Sequence, residues 1–408
     1  MITQAVFQDR ILDQILAFNE YGITSSYSKN GADYFVNQFW TSKQRQGNSL
    51  HEISYRACFK SELPRFFLTR LSESGDVVHD PFMGRGTTPL EAKLNGRIPS
   101  GNDINPLSIF LIRPRMNPPS IEQISSCLDT IKLPNNTSKI IGHESDFLEF
   151  FHPKTFHQIR FLRELFLEHL GVGLNVNNSV LDWIRMVCLN RLAGHSSGFF
   201  SGRTLPPNQA VSAIAQRKIN KKYGLTPPER DLKNIILRKS KSLLRDEIVA
   251  SQTEYFLSTG FAENTPHLQD SSVALVVTSP PFLDVVDYSS DNWMRNWFAG
   301  LDFKGRGIPS YKSAKEWQFM VKNVLIEQAR ILKPGGYLVF EVGEIRSSQL
   351  FLEELVIEAS EGLAIDCLGV IINSQNFTKT SNIWGITNGE KGTNTNRIIL
   401  FKRKQDSG

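Results

Sequence analysis

Three short segments of this 408-residue chain combine residue types that can do chemistry. The first is Asp80-Pro81-Phe82-Met83-Gly84-Arg85-Gly86-Thr87-Thr88. A glycine-rich turn between a strand and a helix lets a ligand approach the backbone and offers it the free N–H groups of the helix N-terminus. The turn lacks the Gly-Lys-Ser/Thr ending of a phosphate loop, and Gly84-x-Gly86 is not completed to a dinucleotide fingerprint. The second is Asp103, roughly 20 residues further on, where an acid can accept hydrogen bonds from both hydroxyls of a ribose. The third is Thr278-Ser279-Pro280-Pro281-Phe282, directly after the apolar run Val273–Val277. Two prolines stiffen the backbone at a strand end. They leave the Ser279 hydroxyl and the Pro280 carbonyl outward as acceptors, and Phe282 offers a face for stacking. Rigid acceptors beside an aromatic ring suit an extruded base that carries an amino group. Taken singly, each segment also reads as an ordinary turn, so the case rests on their joint occurrence.

These segments need strand ends to hold them. DVVHDPF (76–82) reads as a strand and PLEAKLNG (89–96) as a helix, with Pro89 in its first turn and Gly96 near its end. IPSGNDI reads as the next strand, which completes the β-loop-α-β unit of a doubly wound α/β sheet. SELPRFFLTRL reads as a short amphipathic helix with a Ser cap. The pattern resumes at SVALVVTSPPF and continues in VKNVLIEQARILKPGGYLVFEVG as helix, Pro-Gly-Gly turn and strand, and two further strands, AIDCLGVIIN and NRIILFKRK, close the chain. Between these halves, 121–133, 153–170 and 231–248 read as helices. Residues 107–120, proline-rich at their end, read as a loop, and 190–230 as loops and short helices on a surface.

Hydrophobic residues at 40% and charged residues at 21% predict a packed globular core. No apolar run has the length of a membrane span, and the N-terminus carries no signal-peptide pattern, so a cytoplasmic protein is expected. The net charge of +5 is unevenly placed. Thirteen Arg and Lys between residues 185 and 245 face only Glu229 and Asp231, while the rest of the chain is net acidic. A solvated face is one reading of that segment and a polyanion-binding surface the other. The four cysteines are far apart, form no CxxC pair and never follow a proline. They therefore predict no zinc site or disulfide framework, and no metal role is assigned, His195 included.

Together, DPFMGRGTT and TSPPF resemble the amino-group DNA methyltransferases, the cytosine-N4 and adenine-N6 enzymes. The resemblance covers roughly residues 50–150 and 260–403. It implies a Rossmann-like class I methyltransferase fold, a seven-stranded, mostly parallel sheet with one antiparallel strand, and S-adenosylmethionine as methyl donor. It assigns cofactor contacts to Asp80, Pro81, Phe82, Gly84, Gly86, Thr87 and Thr88, and the ribose to Asp103 beside Ile104. Lys60 and its neighbours, in FKSELP, look like the segment beside the methionine part of the cofactor. Asp146 and Phe147 resemble the pair that meets its adenine. It also implies a target-recognition region between the motifs. The expected organisation is an N-terminal arm (1–33), a cofactor-binding half (34–150), an inserted basic recognition region (151–258) and a catalytic half (259–408).

On this reading the partner is double-stranded DNA, gripped through phosphates by Arg191, Arg203, Arg217, Lys218, Lys221 and Lys222. The protein is then prokaryotic and nucleoid-associated, with a cognate restriction endonuclease as a further partner. The target base flips onto Phe282, its amino group donates to Ser279 and the Pro280 carbonyl, and methyl transfer is direct. Cytosine-C5 chemistry is excluded because it needs a cysteine nucleophile, typically after a proline. Serine at the head of SPPF favours cytosine-N4. The order of the motifs is the less usual one for such enzymes, which keeps adenine-N6 second and an RNA amino-methyltransferase third. A catalytically dead DNA-binding homologue is the alternative of another class. Asp284, Asp287, Tyr288, Trp293 and Trp297, and in a later loop Asn382, Trp384 and Asn396, are weighed as pocket or DNA-facing residues against ordinary packing and capping.

Overall fold

The computed structural model describes residues 9–40, 47–55, 58–135, 140, 142–173, 177–204, 210–246, 254–281, 292–301, 311, 313–343, 350–374 and 395–405. Its frame is a nine-stranded sheet in the order β1-β2-β8-β9-β7-β6-β3-β4-β5. The strands are β1 (Ser25–Lys29), β2 (Ala32–Asn37), β3 (Val77–Asp80), β4 (Ile98–Asp103), β5 (Phe256–Thr259), β6 (Val273–Thr278), β7 (Leu332–Gly343), β8 (Ile365–Ser374) and β9 (Thr395–Arg403). The seven strands from β5 to β8 are parallel except β9, which runs antiparallel to both β7 and β8. These seven strands match the expected mostly parallel sheet with one antiparallel strand.

Two further strands come from the end of the expected N-terminal arm and the residues just after it. SSYSK and ADYFVN form a hairpin across Asn30-Gly31, both at positive φ (50° and 78°), as a two-residue type I′ turn requires. Tyr27 stacks on its cross-strand partner Tyr34 at 4.9 Å. Because β2 then pairs in parallel with β8, the expected boundary at 33/34 falls inside a strand. The Asn-Gly pair was the available signal.

Alternation within the strands sorts the core. Leu275 and Val277, with Ile398 and Leu400, face α1 (Arg10–Leu16) and α2 (Glu62–Leu71). Val276, Phe340, Ile399 and Phe401 face α11 (Ala314–Ile331) and α12 (Leu352–Ser360) on the other side. Ser61 stands at the N-cap of α2, but its side chain makes no capping bond. The Pro334-Gly335-Gly336 segment is the irregular start of β7 rather than a free turn. A Cβ on Gly336 would meet the Ala274 carbonyl at 2.9 Å, opposite the register shift between Val273 and Leu275.

Residues 107–116, read as a loop, form α4 (Leu107–Met116) with Pro114 near its end. It is buried on every side, so no amphipathic stripe betrays it. Around it packs a helical body made of α5 (Ile121–Thr130), α6 (Pro153–Leu170), α7 (Ser179–Arg191), α9 (Leu232–Leu243) and α10 (Trp293–Ala299). The inserted region thus has its own core, which draws helices from both sides of the expected limits at 151 and 258. Trp183 is fully buried and donates to Ser240 at 3.0 Å. Asp182 pairs with Arg113 (2.7 Å) and Arg185 (2.7 Å) inside this core. Removing Asp182 would strand two buried guanidiniums, a loss on the order of 3–5 kcal/mol. Arg185 was counted as surface charge from the sequence, and it is core.

Candidate active site

The two motif turns meet because their strands are neighbours. β3 and β6 pair in parallel, Val78 with Leu275 and His79 with Val276. At their carboxyl ends the Thr278 hydroxyl donates to Asp80 (2.6 Å), and the Thr88 hydroxyl donates to the Val277 carbonyl (3.0 Å). Gly86 holds the left-handed φ of 79°, and a Cβ there would meet Ile112 at 2.5 Å. Helix α3 (Thr87–Leu94) starts immediately after it.

One open cleft, about 910 Å³ when the solvent-filled space at its mouth is included, spans both turns. It is lined by Asp80, Pro81, Phe82, Met83, Gly84, Thr87, Asp103 and Ile104 from the first half, and by Ser279 and Pro281 from the second. Pro280 and Thr88 are buried behind this lining, and Phe282 lies outside the described residues. Lys60 is exposed beside the cavity, while its neighbours Cys58 and Phe59 line it.

The electrostatics of this cavity are one-sided. Asp80, Asp103 and Glu263 line it, with no Lys, Arg or His among its described lining residues. Burial raises the Asp80 carboxyl to about 7, although Thr278 and the Phe82 N–H donate to it. Burial likewise raises Asp103 to about 6. Its two oxygens accept from the N–H groups of Gly84 (2.8 Å) and Asn105 (2.8 Å). The N–H of Gly84 is therefore spent on a carboxylate, and the loop is no phosphate cradle.

Behind Ser279 stands a residue the sequence did not single out. Glu341 of β7 is buried and hydrogen-bonded to Ser279, and it accepts from Asn396 of β9 at 2.8 Å. Burial raises its carboxyl. It lies within the quoted run LKPGGYLVFEVG, where one acid inside an apolar strand was the signal. On the far side of the turn, the buried indole of Trp317 donates to the Pro281 carbonyl at 2.9 Å.

Asp146 and Phe147 are not brought to the cavity. Phe147 packs among Phe156, Trp293 and Trp297 in the helical core, and Asp146 is an exposed neighbour of Arg217 at 3.8 Å. The stretch after the third parallel strand is instead Gly260–Glu263, following β5, and Phe261 and Glu263 line the cavity. The long helical insertion separates β4 from β5 and hid this strand from the sequence reading. Trp293 and Trp297 are packing residues. Asp284, Asp287, Tyr288, Asn382 and Trp384 lie outside the described residues.

Of the cations read as DNA contacts, Lys218, Lys221 and Lys222 are exposed on α8 (Ala213–Tyr223). Arg217, on the same helix, is engaged by Glu149 at 2.7 Å. Arg203 is exposed and lies over the Tyr223 ring. Arg191 ends α7, partly buried over Phe199. No helix among the described residues is long and apolar enough to cross a membrane.

The family of DNA methylases matches residues 8–111, the part that carries the glycine-rich turn and Asp103. The Type II methyltransferase M.BsoBI of Geobacillus stearothermophilus is 23% identical over 281 residues, 64% of this chain and 54% of that protein. The Type II methyltransferase M.MjaII of Methanocaldococcus jannaschii is 29% identical over 105 residues, 25% of this chain and 20% of that protein. The chain thus spans about half the length of the first of these relatives and a fifth of the second. Among solved structures, TrmN from Thermus thermophilus aligns over 85% of this chain and 50% of its own, at 10% identity and a TM-score of 0.33.

Proposed function

We propose that this chain, similar over residues 8–111 to the DNA methylases, is an S-adenosylmethionine-dependent DNA methyltransferase that modifies the N4 amino group of cytosine. The observation that carries the reading is the acidic cavity joining the two motif turns. Desolvated carboxylates without a lining cation disfavour a phosphate-bearing nucleotide and favour a cationic ligand. A sulfonium nucleoside fits that charge, with Asp103 toward the ribose, Phe261 and Glu263 toward the adenine, and the Gly84 turn against the amino acid part. Bound there, it supplies an electrophilic methyl group.

The chain's own contribution is placement. Ser279 donates its proton toward Glu341, which leaves its oxygen to accept from the target amine, with the Pro280 carbonyl as second acceptor. Two acceptors draw the amine toward tetrahedral geometry and aim its lone pair. Trp317 engages the Pro281 carbonyl and keeps the turn from collapsing. Positioning of this kind is worth several powers of ten in rate. The recognition region supplies phosphate contacts through Arg203, Lys218, Lys221 and Lys222. A serine rather than an acid at the head of the turn supports cytosine over adenine.

The test uses labelled S-adenosylmethionine with duplexes in which either only cytosine or only adenine carries a free amino group, followed by nucleoside mass spectrometry. N4-methylcytosine is expected. N6-methyladenine would replace the base, and label found in RNA alone would overturn the assignment to DNA.

A further inference from the structure

The recognition region holds a second group of cations, away from α8, whose arrangement is not that of a solvated face. Lys239 of α9, at 10% side-chain exposure, reaches Glu52 at 3.4 Å. Arg245 reaches the same carboxylate at 3.5 Å, and Ser242 donates to it at 3.0 Å. Arg191 adds its charge from the end of α7, and Arg295, buried behind it, is committed to the carbonyls of Leu189 and Ser54. Among the described residues the other acid bound to this group is Asp246, which holds Arg245 at 3.0 Å and the Ser49 N–H at 2.7 Å. Lys239 and Arg245 thus share Glu52, both at long range, while among the described residues Arg191 and Arg295 add charge nearby without a carboxylate contact of their own.

Partly desolvated like charges repel, and the protein bears that cost in the free state. Burial above all, and then repulsion from neighbouring guanidiniums, lowers the Lys239 ammonium to about 8 and the Arg191 guanidinium to about 10. On α8, in contrast, Lys218, Lys221 and Lys222 are exposed, where each charge is screened and its side chain loses entropy on binding. An anion gains more at the first place than at the second.

The position fits as well. Glu52 and Tyr55 are three residues apart on one segment, and Tyr55 lines the cavity. Three residues span at most about 11 Å. A phosphate held by the cluster is thus within a few nucleotides, along one strand, of a base entering the cavity. Beside it, the loop after α7 is tied down by the Gly194–Arg203 bridge, and the buried Ser201 hydroxyl bonds to Gly194. That loop leaves His195, Ser196 and Ser197 exposed.

We propose that Lys239 and Arg245, held at Glu52, with the charge of Arg191 beside them, form a seat for a DNA backbone phosphate close to the extruded base. The seat rests on the reading of the chain as a DNA methyltransferase and adds the place where the strand is held.

The experiment measures binding of a random-sequence duplex to the full chain by fluorescence anisotropy, between roughly 50 and 200 mM salt. Arg245→Gln and Lys239→Gln should each flatten the slope of log K against log salt by about 0.9, one phosphate contact. Each should also weaken low-salt affinity roughly 10-fold. Lys322→Gln, an exposed cation on α11, serves as the control for non-specific charge loss. Glu52→Gln should do the opposite and tighten binding, which a merely structural role for the cluster would not produce. Arg245 is more than half exposed, so its variant carries the test even where Lys239→Gln fails to fold. If the parent protein binds with a steep slope and Arg245→Gln behaves like Lys322→Gln, the seat is refuted while the methyltransferase reading stands. If the parent binds no duplex and methylates none, both fall.

Discussion

The cavity and the recognition region hold opposite charge, and they hold it differently. At the cavity and just behind it, Asp80 and Glu341 are buried and Asp103 is half-buried, and each is tied by hydrogen bonds from neighbouring strands or turns. In the inserted region, Lys218, Lys221 and Lys222 are exposed on α8, and Lys239 and Arg245 gather at Glu52. Acidic groups that are fixed in advance select a small cation and orient it. Basic groups that are hydrated or poorly matched wait for a polyanion and gain from releasing its counterions. On the proposed function, one chain of modest net charge would separate a cofactor site from a nucleic-acid surface by burial as much as by sign.

Mutations can test how cleanly the two functions divide. The largest effect is expected for Ser279→Ala, which removes the acceptor at the reacting amine. Turnover should fall by roughly 10²- to 10³-fold with little change in duplex affinity, and equal loss of both would mean the two regions are not separable. Next is Glu341→Gln, which weakens the acceptor behind Ser279. A fall of about 10- to 100-fold in kcat, with an unchanged KM for the cofactor, corresponds to one charge-assisted hydrogen bond. A parallel rise in KM would make Glu341 part of the cofactor wall instead.

Asp103→Ala should act on the other side of the chemistry, raising the cofactor KM by about 10-fold or more while kcat at saturation changes less. Acidity tests the same wall without mutation. Asp80 and Asp103 are raised to about 7 and about 6. A raised carboxyl stabilises the fold fully below its unfolded value near 4, and that contribution is lost as pH climbs through the folded value. Ligand-free protein should therefore lose thermal stability between about pH 4 and 7 from these groups. Affinity for S-adenosylmethionine should move the other way, rising as the carboxylates ionise. Calorimetry across that range would show whether the two trends have opposite sign. The smallest effect is expected for Trp317→Phe, which keeps the bulk beside the catalytic turn and removes one neutral hydrogen bond. A drop of roughly 5-fold in kcat follows from about 1 kcal/mol, with DNA binding untouched.

Local sequence marked the two turns that the structure brings to one cavity. Strand-turn-helix composition around Asp80–Thr88 and the stiff Ser279-Pro280-Pro281 turn each announce a ligand-facing strand end. Alternating apolar runs mark β6, β8 and β9, because a residue's face in a strand depends only on its parity. Even the β1–β2 hairpin was written in Asn30-Gly31, a local signal.

What remained hidden depended on contacts between distant segments. α4 is buried all round and therefore lacks periodicity. β5 follows an insertion of some 150 residues, so the stretch that lines the cavity after the third parallel strand is Phe261–Glu263 rather than Asp146–Phe147. The partner of Ser279 is Glu341, on a strand laid beside β6 only by sheet order. The grouping of Lys239 and Arg245 at Glu52, with Arg191 beside them, joins three separate stretches of chain. Residue type and short-range spacing state which chemistry a segment can support. Which acid lies behind which hydroxyl, and which cations lose their water, follows from packing, because burial and proximity are properties of the assembled core rather than of any one stretch.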